Sequence, residues 1–166
     1  MNNDVKGVNT VPILIKGARF VDDRGSLNFC NEWSPLTAGV KRFYQVQNHR
    51  SDFIRAWHGH QKEAKFVYVA QGAALICATP LFKNPVEGGS PQYPVPIDPV
   101  MYKFVMAEDT PAILFIPAGF YNGFKTLIAD TILLFFSTST LEESKGDDIR
   151  LHWNVFGTKM WGEDYR

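Results

Sequence analysis

Short strand-like segments separated by turn residues dominate this chain of 166 residues and restrict the folds that it can adopt. Seven segments are rich in β-branched and aromatic residues and are bounded by Gly, Pro, Asn or Asp, which is the pattern of strands joined by turns. They are residues 12–15, 41–47, 65–69, 73–78, 102–106, 113–116 and 131–136. Helical periodicity is confined to residues 141–150, where charged side chains indicate a short exposed helix. The sequence therefore predicts an all-β barrel or sandwich.

The connections between these segments carry recognisable turn chemistry. Asp23-Arg24-Gly25 precedes a strand, and Gln71-Gly72 separates two apolar runs, so residues 65–76 are interpreted as a β-hairpin. Residues 79–99 contain six prolines, which cannot donate to a central ladder, so this stretch is predicted to be a loop.

Composition limits the classes of function. The length suits one domain spanning residues 1–166, and 45% hydrophobic residues supply a core. Lys plus Arg and Asp plus Glu number 17 each, so no net positive field would attract nucleic acid. Apolar runs such as residues 132–136 are too short to cross a membrane, and the first ten residues lack the apolar core of a signal peptide. We expect a cytoplasmic protein.

The densest polar cluster includes His58-Gly59-His60. If residues 54–60 are extended, the period of two places both histidines on one face, pointing into one space. Two histidines at this spacing commonly bind a metal ion. Exposed or packed histidines are the alternative interpretation.

A second polar and aromatic block is Pro117-Ala118-Gly119-Phe120-Tyr121-Asn122-Gly123-Phe124. Together, the two blocks resemble the two sequence motifs of the cupin barrels. The third histidine of the metal-binding pattern is replaced by Asn122, whose amide is a poor ligand for a transition metal. Glu63 also follows His60 more closely than the usual carboxylate ligand does. We therefore expect no metal and no cofactor.

A closer resemblance covers most of the chain and is to the dTDP-4-dehydrorhamnose 3,5-epimerase family of RmlC-like cupins. It is carried by residues 20–25, Gln47-Asn48, Arg55-x-x-His58, Lys65 and residues 116–124. The resemblance implies a double-stranded β-helix, a jelly-roll barrel that dimerises through N-terminal strands. It also implies a nucleotide-sugar isomerase or epimerase in cell-surface or secondary-metabolite sugar biosynthesis.

A local resemblance is to the dTDP-sugar 3,4-ketoisomerases. It is carried by residues 25–29, by Lys41-Arg42-Phe43-Tyr44 and by the His58-Gly59-His60 pair. The chain combines motifs of both groups.

The resemblance also implies roles for individual residues. His58 is the general base that removes a proton next to a keto group, a proton that the carbonyl makes acidic. Lys65 and Arg55 are the cations of the pocket, which stabilise the enolate, and His60 is a second proton-transfer or hydrogen-bonding group. The remaining residues expected to bind the substrate are Arg24, Gln47, Asn48 and Asn122.

One catalytic residue of the epimerases is missing. The tyrosine that supplies a proton to the opposite face of the sugar ring falls on Phe135, which has no proton to give. Inversion at one carbon, or proton shuttling on one face, is therefore expected rather than inversion at two. The carboxylate that supports the family's histidine has no certain match, although Glu163 and Asp164 lie late enough in the chain.

Two other functions remain open at this point. The chain is alternatively a metal-dependent cupin enzyme that uses His58 and His60, or a catalytically silent protein that binds a sugar nucleotide. The second alternative rests on Asn122 and Phe135, which both depart from the family pattern.

Overall fold

A computed structural model describes residues 10–81 and 98–162, and its regular secondary structure consists almost entirely of antiparallel strands. The strands are β1 (Ile13–Lys16), β2 (Ala18–Asp22), β3 (Gly25–Phe29), β4 (Arg42–Gln47), β5 (Ile54–His60), β6 (Lys65–Gln71), β7 (Ala73–Pro80), β8 (Tyr102–Ala107), β9 (Ala112–Ile116), β10 (Phe120–Thr126), β11 (Ile132–Ser137) and β12 (Ile149–Arg150). All seven predicted strands are confirmed, and each of their ends lies within two residues of the predicted position. The sequence did not define β2, β10 and β12.

Two five-stranded sheets form the jelly-roll barrel that the sequence predicted. The first sheet has the strand order β1-β9-β6-β11-β4, and the second has the order β12-β5-β10-β7-β8. Every pairing is antiparallel. This is the double-stranded β-helix of the cupins.

The main core lies between the two sheets. Successive side chains on each strand point to opposite faces of the sheet, so every second side chain points into the space between the two sheets. Val67, Leu114 and Leu133 come from the first sheet, Ile76 and Phe124 come from the second, and all five are buried. The candidate site described below opens from the same space.

The predicted hairpin at residues 65–76 is wrong. β6 pairs with β9 and β11 in the first sheet, whereas β7 pairs with β8 and β10 in the second. Gly72 marks the corner at which the chain passes between sheets, with a φ of 76° that favours glycine. A Cβ at this position would lie 2.4 Å from Thr131 Oγ1. The turn signal was correct, but the turn joins two sheets and not two neighbouring strands.

β2 and β3 form a separate hairpin. Asp22 pairs with Gly25 across a turn of Asp23 and Arg24, as the turn chemistry predicted. The two strands pair with no other strand among the described residues. Phe20, Val21 and Leu27 are each more than half exposed on this hairpin.

The outer face of the second sheet is covered by the C-terminal segment. Trp57 on β5 packs with Trp161, and the indole N–H groups of both donate to the carbonyl of Trp153, at 3.2 and 3.1 Å. Because neighbouring side chains on a strand point to opposite faces, an outward Trp57 directs His58 inward. This packing fixes the orientation of the candidate site.

The remaining predictions of secondary structure are confirmed in part. The predicted helix at residues 141–150 is the shorter α1 (Leu141–Lys145), whose N-terminus is capped by Thr140 and Glu143. β7 extends two residues into the predicted loop at 79–99, and residues 82–97 of that loop lie outside the described residues. No helix in the described ranges has the length and apolar character needed to cross a membrane.

Candidate active site

A cavity of about 250 Å³ opens between the two sheets. Its walls combine charged residues with side chains of the core. The lining residues are Arg42, Tyr44, Val46, Arg55, His58, His60, Glu63, Lys65, Asn122, Phe124, Phe135, Ser144, Asp148 and Arg150. The structure thus brings together five of the residues singled out in the sequence as catalytic or substrate-binding, which are Arg55, His58, His60, Lys65 and Asn122.

β5 carries both histidines into this cavity, as the period of two predicted. Gly59 between them faces the other side of the sheet, where a Cβ would lie 2.5 Å from the ring of Tyr121. Only glycine allows so close an approach of the strand to that ring. The small residue therefore keeps β5 against β10 while both imidazoles face inward.

A carboxylate that the sequence did not identify lies beside His58. Nδ1 of His58 is 3.7 Å from Oδ1 of Asp148, and Nε of Arg150 donates to the other carboxylate oxygen at 2.7 Å. His58, and after it Arg150, hold the pKa of the Asp148 carboxyl below its usual range. Asp148 is therefore a carboxylate at neutral pH and favours a proton on Nδ1 of His58.

Local structure explains how Asp148 reaches His58. Asp147 accepts hydrogen bonds from the backbone N–H groups of Gln61, Lys62 and Glu63, at 2.9, 2.8 and 3.2 Å, and so closes the turn after β5. The next residues form β12, which pairs with β5 so that Arg150 lies opposite His58. The chain after α1 is thus fastened to β5 on both sides of Asp148.

The sequence left the supporting carboxylate unassigned, and Glu163 and Asp164, which it noted as late enough in the chain, lie outside the described residues. Asp148 was missed because the sequence of residues 141–150 indicated an exposed helix. A usable signal was present, since Asp147-Asp148 directly precedes Ile149 and Arg150, the two residues of β12, and interrupts the helical pattern.

His60 and Lys65 lie deeper in the cavity and touch each other. Nζ of Lys65 is 3.3 Å from Nδ1 of His60, and Nε2 of His60 is 3.5 Å from Oγ of Ser144 and 3.9 Å from Oδ1 of Asp148. Burial, and after it the charge of Lys65, lowers the pKa of His60 to about 4. His60 is therefore neutral near pH 7.

Glu63 lies below these two residues with its side chain fully buried. Its carboxylate oxygens are 3.7 Å from Nε2 of His60, 3.8 Å from Nζ of Lys65 and 3.5 Å from Nη2 of Arg42. Burial lowers the pKa of Lys65, and the charge of Glu63 opposes this. The carboxylate thus lies at the centre of the basic groups on this side of the cavity.

By the sequence resemblance, Asn122 is expected at the position of the third histidine of the metal-binding cupins. It lies on β10 opposite His58, and its Nδ2 donates to the backbone carbonyl of His58 at 2.9 Å. The amide therefore fastens β10 to β5. An ammonium group 3.3 Å from His60 would also repel a divalent cation at this position.

Three predicted substrate-binding residues lie outside the cavity lining. Asn48 is buried and accepts a 2.8 Å hydrogen bond from Nε of Arg55, so it positions a lining residue. Gln47 is exposed at the end of β4. Arg24 is at the tip of the β2–β3 hairpin, with a side chain that is 83% exposed and paired with Asp22. All three assignments stay predictions.

The barrel and the histidine, carboxylate and lysine in its cavity define the class of protein, a cupin of the sugar-nucleotide isomerases and epimerases. The sequence model of the dTDP-4-dehydrorhamnose 3,5-epimerase family matches residues 7–160, and the chain belongs to this family. A search of curated proteins gives no significant match.

Solved structures agree on the fold. The dTDP-4-dehydrorhamnose 3,5-epimerase of Bacillus anthracis, with TDP and pyrophosphate bound, has a TM-score of 0.67 and 20% identity over 90% of this chain and 83% of that one. A 3,4-ketoisomerase of Helicobacter canadensis has a TM-score of 0.62 and 16% identity over 90% and 96%. ChmJ of Streptomyces bikiniensis, a 3'-monoepimerase in complex with dTDP-quinovose, has a TM-score of 0.58 and 18% identity over 78% and 64%.

Proposed function

We propose that the protein removes a proton from the carbon next to the carbonyl of a nucleotide diphosphate keto deoxy sugar, with His58 as the general base. The observation that carries this proposal is the contact of His58 with Asp148 at the wall of a cavity that also contains Lys65. A carboxylate behind Nδ1 leaves Nε2 free to accept the proton, and imidazole titrates near neutral pH.

The reaction follows from the charges in the cavity. When the C–H bond breaks, its proton moves to Nε2 of His58 and its electron pair becomes an enolate whose negative charge lies on the former carbonyl oxygen. Lys65 and Arg55 supply the positive charge that stabilises this oxygen. Return of a proton to carbon from the same or the opposite face then gives the isomerised product.

Phe135 favours a change at a single carbon. The side chain lies in the cavity wall and offers no proton to the ring face opposite His58. Proton transfer on one face, as in a keto-isomerisation, or inversion at one centre is therefore proposed over double epimerisation. The nucleotide of the neighbours' ligands, a thymidine diphosphate, is the first candidate for this chain.

The remaining substrate contacts are proposed by position. Asn122 donates a hydrogen bond to the backbone of His58, on the strand that carries the base, and Asn48 accepts one from Arg55. Gln47 is the last residue of β4, next to Val46 in the cavity wall. The exposed side chain of Arg24 lies outside the cavity lining of its own chain. We propose that it reaches a nucleotide phosphate in a second copy of the chain, where a guanidinium can bind two oxygens at once.

A homodimer would explain the exposed apolar surface. An isolated two-stranded hairpin is only marginally stable in water, yet β2 and β3 expose Phe20, Val21 and Leu27. On the first sheet the ring of Phe43 is 69% exposed and packs near Phe136. A partner that covers both surfaces would also place the Arg24 hairpin beside another cavity. The proposed dimer is a single-domain cytoplasmic enzyme that needs no cofactor.

The test is deuterium incorporation from solvent into keto sugar nucleotides, followed by NMR. General-base assistance is typically worth about 10²–10⁴-fold, so His58→Asn should slow exchange by about that factor and leave dTDP binding intact. His152→Asn is the matched control, because the side chain of His152 is exposed and hydrogen-bonded only to Asn154 among the contacts described. Undiminished exchange in His58→Asn would identify another base. Binding of dTDP without exchange on any keto sugar would favour a silent binding protein.

A further inference from the structure

The fully buried carboxylate of Glu63 contacts three basic side chains, Arg42, His60 and Lys65, at 3.5 to 3.8 Å. Its Oε1 has no hydrogen-bond donor among the described residues. Burying a carboxylate carries a desolvation cost even when basic groups lie beside it, so Glu63 occupies this position against an energetic penalty. The family resemblance assigned it no role.

The contact between Lys65 and His60 fixes the proton on the imidazole. An ammonium group can only donate, so Nδ1 of His60, 3.3 Å from Nζ, must be the acceptor. The proton of the neutral ring then lies on Nε2, which faces Ser144, Glu63 and Asp148. Both ring nitrogens are engaged as long as Lys65 keeps its charge.

The charge on Lys65 depends on its surroundings. Its side chain is 6% exposed, and burial disfavours the ammonium form. The charged groups that face it are Glu63 and Asp148, which favour the ammonium, and Arg42, which opposes it. His60 in turn faces Lys65, Glu63, Asp147 and Asp148. Glu63 is the carboxylate nearest to Lys65 and the only fully buried one in this group.

We propose that Glu63 is a positioning residue that keeps Lys65 charged and thereby holds His60 as the neutral Nε2–H tautomer. The role of Lys65 in stabilising an enolate rests on the proposed function, but the effect of Glu63 on Lys65 does not. His60 on this view donates a hydrogen bond to the acidic groups around it, and proton removal from the sugar is left to His58.

The first measurement is the titration of Lys65 by NMR of lysine labelled with carbon-13 at Cε. A carboxylate within about 4 to 6 Å shifts a neighbouring pKa by about one to three pH units, so Glu63→Gln should lower the titration midpoint of Lys65 by that amount. Glu142→Gln is the matched control, since Glu142 pairs with Lys145 on the exposed face of α1. An unchanged or raised midpoint in Glu63→Gln would overturn the proposal.

A second measurement needs no variant and guards against loss of folding. Nitrogen-15 shifts of wild-type His60 at pH 7 should show a neutral ring protonated at Nε2. A ring protonated at Nδ1, or a charged ring, would overturn the proposal. Glu63→Asp keeps the charge and should restore a Lys65 midpoint above that of Glu63→Gln.

The pH profile of deuterium exchange links the cluster to the reaction. In Glu63→Gln the alkaline loss of exchange should begin at lower pH than in the wild type, because Lys65 loses its proton earlier. A uniform decrease at every pH would indicate a purely structural role and count against the proposal. If the wild type shows no exchange with any sugar, the proposed function fails while the Lys65 titration still tests Glu63.

Discussion

Tyr44 on β4 and Phe135 on β11 are direct partners across the first sheet, with parallel rings whose centroids lie 5.1 Å apart. Both side chains line the cavity. Phe135 stands where the epimerases are expected to have their proton-donating tyrosine, and Tyr44 on the adjacent strand places a phenol beside it. Burial raises the pKa of Tyr44, so the hydroxyl keeps its proton at neutral pH.

Tyr44 is therefore expected to supply the proton that completes turnover. Tyr44→Phe should lower product formation by about 10²–10⁴-fold, the usual contribution of a general acid, while His58 continues to exchange the substrate proton with solvent. Product formation and deuterium exchange are measured on one NMR sample, with Tyr102→Phe on β8 as the control. Equal losses of both rates would show that Tyr44 acts elsewhere in the reaction.

The reverse change tests the neighbouring position. Phe135→Tyr places a phenol where the epimerases have theirs, so a second epimer should appear among the products. Chiral analysis of the recovered sugar by NMR detects it. A product identical to that of the wild type would mean that ring geometry, and not the missing hydroxyl, limits the reaction to one carbon.

Arg24→Ala tests whether the hairpin takes part in binding. Loss of a charge-assisted contact should weaken dTDP binding by about 1–3 kcal/mol. The free energy of unfolding should change little, because the side chain is exposed and bonded only to Asp22 among the described contacts. Calorimetric titration with dTDP and denaturant unfolding measure the two quantities. Arg19→Ala on β2 is the control, and equal affinity in Arg24→Ala and the wild type would contradict the role.

Metal content is the fourth test. The ammonium of Lys65 beside His60 and the amide of Asn122 bonded to the His58 carbonyl both oppose coordination of a divalent cation. The purified protein should therefore contain well under one equivalent of transition metal by elemental analysis, and a chelator should leave exchange unchanged. A stoichiometric ion bound by His58 and His60 would restore the metal-dependent alternative.

Local sequence patterns predicted the strands well because their signals are local. Alternation and turn residues placed His58 and His60 on one face of β5, as the structure has them. The same signals could not tell that Gly72 joins two sheets, because the partners of β6 and β7 come from residues 102–137, far along the chain. The predicted hairpin at residues 65–76 was therefore wrong because strand pairing depends on residues distant in the sequence.

The site was predictable to the extent that its residues lie in motifs. The two histidines, Arg55, Lys65 and Asn122 were found in this way. Asp148 was not, because its place depends on the pairing of the two-residue strand β12 with β5. The pairing of Tyr44 with Phe135 depends likewise on the register of β4 against β11, which no local pattern reveals.

The buried His60 should make the protein sensitive to acid. An unfolded chain protonates this histidine at its usual pKa of 6.5, whereas the folded chain resists protonation until about pH 4. Between these values the unfolded state binds more protons, so the free energy of unfolding falls as the pH falls. The loss attributable to His60 is at most about 3 kcal/mol, taking 1.36 kcal/mol for each pH unit. Denaturant unfolding at pH 7 and at pH 4 measures it.

His60→Gln keeps a neutral polar side chain that cannot be protonated, so its stability should depend less on pH than that of the wild type. His152→Asn, which changes an exposed histidine, should keep the wild-type slope. All three proteins share the acid response of the carboxylates, and the difference between slopes isolates His60. The contact of His60 with a charged Lys65 opposes protonation of the imidazole in the folded chain. Parallel stability curves for His60→Gln and the wild type would contradict this, because they would mean that His60 binds a proton as readily in the folded chain as in the unfolded one.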